Sequence, residues 1–216
     1  FYPPFFCVVN REKVSTPVRP VFDAKASFGG VSLNGQIMAT PNRLNDLVLT
    51  LLNFRKHRYA IMADISEMVL RIRLHPEDKQ YHRFFLFDEP YQWTQILFGN
   101  TSSPNISQKT LAVACDMFGQ DFPAAEECVK EACYMDDGID SKPTEEELIQ
   151  LAHQLTQFLS KADMKMAKFY SNSVKALKAL DSSLVAKEVH LFEDKNTVFE
   201  SNKVLGMAWE ASADNM

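Results

Sequence analysis

Cys133-Tyr134-Met135-Asp136-Asp137-Gly138-Ile139 sets two adjacent carboxylates between apolar flanks. An ionised carboxylate is costly to bury unless it is paired or coordinates a metal. A second stretch breaks the same rule: Ala60-Ile61-Met62-Ala63-Asp64-Ile65 carries one acid within a run that otherwise suits a buried strand. Adjacent strand residues point to opposite faces, so in a continuous strand only one of Asp136 and Asp137 faces the same way as Asp64. A tight hairpin turn lifts that restriction, with Gly138 easing the backbone. One acid from a strand and two from an adjoining hairpin make an oxygen-rich site suited to Mg2+. Two such ions ~3.5–4 Å apart stabilise the attacking and leaving oxygens of phosphoryl transfer. Taken alone, the Asp-Asp pair also fits an ordinary polar turn.

Outward from these two stretches, strand-like and helix-like pieces alternate without repeats or low-complexity tracts. Thr40 as N-cap and Pro41 at the first helical position predict a helix to about His57, with Leu44, Leu47, Val48, Leu51 and Leu52 at helical spacing. The apolar run 59–63 predicts a buried strand. Residues 81–87 and 91–97 predict a strand pair around Asp88-Glu89-Pro90. Helices are expected over 104–118 and after Pro123, and 129–134 leads into the acidic turn. Thr144 to Glu147 forms a capping box ahead of the stripe Leu148, Leu151, Leu155, Phe158 and Leu159, and Lys161 suits the C-terminal end of that helix. A closing strand is expected over 203–210. The class is α+β.

The chain has 216 residues, 46% hydrophobic and 24% charged, which supports a real core and excludes disorder as the main reading. No window approaches the ~18 consecutive apolar residues of a membrane span. Phe1-Tyr2-Pro3-Pro4-Phe5-Phe6 lacks the basic start and cleavage site of a signal peptide, and without an initiator Met the chain reads as a segment of something longer. Cys7, Cys115, Cys128 and Cys133 form no C-x-x-C pair, so a reduced, intracellular, zinc-free protein is expected. The net charge of −5 is unevenly spread: residues 1–83 carry 12 Lys and Arg against 7 Asp and Glu, and the remainder 11 against 21. All eight Arg fall in the first part. Arginine suits bidentate phosphate contacts, so a phosphate-binding surface beside a metal-holding one is one reading and an uneven solvated surface the other.

The order Ala63-Asp64-Ile65, Phe98-Gly99-Asn100-Thr101-Ser102-Ser103-Pro104, then Tyr134-Met135-Asp136-Asp137 resembles the polymerase motifs of reverse transcriptases. Arg19-Pro20-Val21-Phe22-Asp23-Ala24, Gly30-Val31-Ser32-Leu33-Asn34, Phe54-Arg55-Lys56-His57-Arg58 and Lys203-Val204-Leu205-Gly206-Met207-Ala208-Trp209 look like the Bel/Pao retrotransposon group. The resemblance covers nearly the whole chain. It implies an α+β right-hand polymerase, with an antiparallel palm sheet backed by helices. Fingers would come from about 1–58 and 75–100, and palm from about 59–74 and 101–216. The implied activity is RNA-directed DNA synthesis from a primer on an RNA or DNA template, using deoxynucleoside triphosphates and two Mg2+ ions, with Mn2+ as the alternative.

On the same resemblance, Asp64, Asp136 and Asp137 match the metal-binding catalytic acids. Arg19 and Lys13 match positions that grip the incoming triphosphate, and Phe98-Gly99 matches the loop beneath the nucleotide. Gln108 matches a position near the templating base, and Tyr134 and Met135 lie toward primer and template. Lys168 falls where related polymerases carry a lysine that protonates leaving pyrophosphate, with Lys165 as the competing choice. Leu205, Gly206 and Trp209 look like a primer-grip hairpin, with core packing as the equal alternative. Val69 stands where the family has an aromatic residue, and Gly35 where an acidic one is common. The chain ends at Met216, so the thumb, RNase H domain and integrase of such polyproteins are expected as partners outside it. A cytoplasmic or virus-like-particle location without membrane is implied. Two rivals use the same fold: a non-catalytic nucleic-acid-binding remnant, and a palm-fold protein-binding subunit.

Overall fold

The computed structural model describes residues 2–10, 18–38, 40–186, 189–190, 198–199 and 202–211. In chain order the first elements are β1 (Phe5–Val9), β2 (Val18–Phe22), β3 (Ser27–Phe28), β4 (Val31–Ser32), α1 (Leu33–Gln36), α2 (Leu47–Phe54), β5 (Tyr59–Ile65) and α3 (Met68–Arg71). Next come β6 (Arg83–Leu86), β7 (Glu89–Gln92), α4 (Ser103–Phe118), α5 (Pro123–Glu131), β8 (Cys133–Tyr134), β9 (Asp137–Lys142), α6 (Glu145–Lys161), β10 (Met166–Ser171) and α7 (Val174–Lys178). Four short strands close the chain: β11 (Val189–His190), β12 (Val198–Phe199), β13 (Asn202–Val204) and β14 (Met207–Trp209). These fall into two units, 1–43 with 67–108, and 44–66 with 109–216.

The second unit is built on an antiparallel sheet of order β10-β5-β9-β8. β5 is its central strand, so Ala60, Ile61, Met62, Ala63 and Ile65 are all buried and the run is apolar on both faces. Helix α6 packs on β5, β9 and β10, and α5 packs on α6 and β9. Leu148, Leu151, Leu155, Phe158 and Leu159 form the buried stripe of α6. The Thr144 side chain accepts from Glu147 N while Glu147 reaches back to the cap, so the expected capping box is present.

Helix α2 corrects the expected helix from Thr40 to His57. It runs only Leu47–Phe54, because Asp46 is the cap and accepts from Leu49 N at 2.9 Å. The residues before it serve other partners: the Pro41 carbonyl accepts from Asn105 Nδ2, and Asn45 Nδ2 donates to the Cys133 carbonyl. The closing strand over 203–210 is instead a hairpin, β13-β14, turning at Leu205 (φ 48°) and Gly206 (φ 93°).

In the first unit β1 pairs with β2, and β6 with β7. The latter hairpin turns at Phe87 and Asp88, both left-handed (φ 51° and 65°), not at Asp88-Glu89-Pro90. A two-residue turn needs that backbone, and Pro90 is accommodated in a two-stranded ribbon where an outer-edge donor is dispensable. Phe5, Phe22, Phe84 and Trp93 form the aromatic core of this unit, with ring centroids 5.2–5.8 Å apart.

Candidate active site

The three acids converge at one end of the four-stranded sheet. Asp64, near the end of β5, is registered directly opposite Asp137 at the start of β9, and such a pair projects to one face. Met135 and Asp136 form the two-residue turn between β8 and β9, since Tyr134 pairs with Asp137. The turn is fastened to the central strand where Ile65 N donates to the Asp136 carbonyl at 2.7 Å. Gly138 is not the residue that eases the turn. A Cβ there would fall 2.6 Å from Met166 Cε, and the left-handed residue of the turn is Met135 (φ 56°).

Lys168 completes the cluster. Its Nζ donates to Asp64 Oδ2 at 2.7 Å. Strand β10 bulges between Ala167 and Tyr170, and Lys168 there has a φ of 57°. A bulge re-aims side chains, and non-glycine left-handed residues are strained positions that concentrate at functional sites. Lys168 is the cation offsetting Asp136 and Asp137, and the charge of Lys165 bears on Asp181.

Like charges pressed together in a partly buried place resist ionisation. Burial, then repulsion from Asp136 and Asp64, pushes the Asp137 carboxyl up to about 6. Asp136 is raised above the usual carboxylate range, first by burial and then by Asp64. Among the described residues no group of three or more His, Cys, Asp or Glu already stands at metal-binding spacing. The chemistry of the donor set nevertheless fits a hard divalent cation: every donor is a carboxylate oxygen, and their repulsion is what such a cation relieves.

The remaining expected residues divide between structure and surface. Tyr134 is half-buried and Met135 exposed beside the acids. Trp209 is fully buried, with its ring 4.7 Å from Phe54 and 5.2 Å from Tyr170, so its place is the core, while Leu205 and Gly206 form the hairpin tip. Arg19, Val69, Phe98, Gly99 and Gln108 belong to the first unit. Arg19 is exposed on β2, Val69 half-buried in α3, Phe98 exposed and Gln108 half-buried on α4. Lys13 lies outside the described residues.

Sequence reasoning missed the support beneath the Phe98-Gly99 loop. Asn34 Nδ2 donates to the Gly99 carbonyl at 2.9 Å and Thr101 N donates to Asn34 Oδ1 at 3.0 Å. His82 and Asn100, both buried, share a 2.8 Å side-chain hydrogen bond, and Ser103 Oγ donates to the Leu97 carbonyl. Only the place of Asn34 inside a family-like block hinted at any of this.

The family described as "Reverse transcriptase (RNA-dependent DNA polymerase)" matches residues 32–207. No curated protein sequence matches the chain. Among solved structures it is similar to the prototype foamy virus protease-reverse transcriptase, a selenomethionine-labelled CSH mutant, at TM-score 0.60 and 19% identity over 78% of this chain and 20% of that one. It is also similar to the foamy viral protease-reverse transcriptase dRH in complex with double-stranded DNA, at TM-score 0.60 and 17% identity over 89% of this chain and 28% of that one. A third similar structure is the foamy viral enzyme in complex with RNA/DNA hybrid, at TM-score 0.59 and 16% identity over 92% and 23%. The chain thus spans 20–28% of the length of these relatives, and the likeness is one of fold: an α+β polymerase segment. With most of its length matched and the acids of its motifs gathered at one sheet end, the chain belongs to the reverse transcriptase (RNA-dependent DNA polymerase) family.

Proposed function

We propose that this chain is the fingers–palm segment of a Bel/Pao-type RNA-directed DNA polymerase, adding deoxynucleotides to a primer on an RNA or DNA template. Fingers are drawn from about 1–58 and 75–100 and palm from about 59–74 and 101–216, with α2 packed on palm strands β8 and β9. The observation that carries the reading is the register of Asp64 opposite Asp137, with Asp136 in the adjoining turn and Lys168 Nζ 2.7 Å from Asp64 Oδ2.

Asp64, Asp136 and Asp137 would hold two Mg2+ ions, or Mn2+. Bound there, the ions supply activation of the primer hydroxyl and neutralisation of charge on the transferring phosphoryl group. Asp137 must shed the proton that its pKa of about 6 lets it keep in mildly acid solution. As the primer oxygen bonds to the α-phosphorus and the bond to pyrophosphate breaks, Lys168 Nζ gives a proton to the leaving oxygen. Arg19, with Lys13, grips the triphosphate, and Phe98 and Gly99 lie beneath the nucleotide. Gln108 borders the templating base, and Tyr134, Met135 and the Leu205-Gly206 tip border primer and template. The thumb, RNase H and integrase parts of a Pol polyprotein are the expected partners, in cytoplasm or virus-like particles. No described helix is long and apolar enough to cross a membrane.

Primer extension on RNA and DNA templates, with and without Mg2+, tests the reading. Extension should need the cation, and Asp64→Asn or Asp136→Asn should lower it by about 10²–10³-fold or more with the fold retained. Undiminished extension in either variant removes that residue from the site. The non-catalytic remnant draws on Val69 in place of an aromatic residue, and it predicts duplex binding without Mg2+-dependent extension.

A further inference from the structure

Asn34 sits where three separated segments of the first unit meet. Its backbone N–H donates to the Ala24 carbonyl at 2.9 Å, just past β2, whose Arg19 is three residues before Phe22. Its carboxamide makes the reciprocal pair with Gly99 and Thr101, one donor and one acceptor on either side of a single loop. Gly99 in turn has a φ of 96° and no room for a side chain, since a Cβ would stand 2.9 Å from the Phe22 carbonyl. The helix bearing Asn34 is itself capped, with Gly35 N donating to Ser32 Oγ, and Leu33 is buried. Asp23 closes the neighbouring turn by accepting from Lys25 N and Ala26 N.

We propose that Asn34 is a positioning residue for the incoming nucleotide, clamping the 98–101 loop to the end of β2 so that Phe98-Gly99 and Arg19 keep one spacing. This rests on reading those residues as nucleotide contacts. The nucleoside bed and the triphosphate grip then share one support, and a loop displaced by even 1 Å misplaces the substrate. The planar carboxamide of Asn34 supplies a donor to Gly99 and an acceptor to Thr101 at once.

Asn34→Ala removes both bonds. Asn34→Asp is the sharper variant: it has nearly the same shape, suits an early helix position, and turns a carboxylate oxygen against the Gly99 carbonyl. In the 216-residue chain, Asn34→Ala should speed amide exchange at Thr101 by about tenfold, Asn34→Asp should speed it less because its carboxylate still accepts from Thr101 N, and both should leave the melting temperature nearly unchanged. Both should raise the KM for deoxynucleotide about tenfold, with kcat and duplex affinity within about twofold of the parent. Parent-like KM in Asn34→Asp, or equal losses in kcat and duplex affinity, overturns the positioning role. Unchanged exchange at Thr101 in Asn34→Ala overturns the clamp. If the parent chain adds no nucleotide, the polymerase reading falls and takes the KM consequence with it, while the exchange result still decides the clamp.

Discussion

Asp137 shows what holding acids together costs the fold when no cation is bound. Its carboxyl is pushed from an ordinary 3.8 up to about 6, chiefly by burial and then by its two acidic neighbours. Above about pH 6 it is ionised in both folded and unfolded chains, and the fold bears the whole penalty. Between the two values the folded chain holds a proton that the unfolded chain lacks, so this contribution to stability grows as pH falls from 6 toward 4. Discounted for partial exposure, the penalty at neutral pH is about 1 kcal/mol. Asp137→Asn should therefore raise the melting temperature by about 2–4 °C at pH 7.5 in chelator, and the gain should shrink at pH 4.5. An equal or lower melting temperature at pH 7.5 would contradict the repulsion. All three acids were legible because each interrupts an apolar run, a conflict visible in one dimension. Asn34 was not, since its two partners lie 65 and 67 residues away.

Val69 bears on the choice of sugar. On the proposed polymerase reading, the family's aromatic ring at this position would lie beneath the incoming sugar and collide with a 2′-hydroxyl; Val, half-buried in the one-turn α3, has no ring to supply that clash. A pocket without it discriminates against an added hydroxyl by ~10²-fold or less. Val69→Phe should shift incorporation toward deoxynucleotides over ribonucleotides by about tenfold, measured by single-nucleotide addition of each. An unmoved ratio means that Val69 packs locally and sets no sugar preference.

Among the elements, α6 was legible to its cap while α2 was not, and the difference is physical. In α6 the capping box and the apolar stripe are both local, so one stretch of sequence states the whole helix. Ahead of α2, Thr40 and Pro41 form an equally good start signal, but Pro41 and Asn45 serve long-range hydrogen bonds and the helix opens six residues after Thr40 at Asp46. Cap substitutions separate the two start sites. Asp46→Ala should cost about 1 kcal/mol in urea unfolding, whereas Thr40→Ala should be silent. The reverse order of effects would restore the longer helix. The acidic hairpin lay between these cases: its turn could be inferred from chemistry, but the left-handed Met135 and the close approach of Met166 to Gly138 depend on the neighbouring strands.

Over the whole molecule, charge is divided less cleanly than the order of residues suggests. The first unit carries 9 Lys and Arg against 7 Asp and Glu, and the second 14 against 21. The difference arises because Arg55, Lys56 and Arg58, all exposed after α2, belong to the unit that also holds the carboxylates. Positive charge is therefore present on both units, although the net charge is negative. A nucleic-acid duplex held by such scattered cations is held mainly through phosphates, and each phosphate neutralised releases condensed counterion. With three or four such phosphates neutralised, primer–template affinity should fall about 40- to 150-fold between 50 and 200 mM salt. Replacing Arg55 and Arg58 by Ala should flatten the logarithmic salt slope by about 1.8 if both reach phosphate, about 0.9 for each phosphate left without its arginine. Fluorescence anisotropy with a labelled duplex reads both quantities. Tight binding that ignores salt would assign affinity to apolar or base interactions, and an unchanged slope in the double variant would confine phosphate binding to arginines and lysines elsewhere.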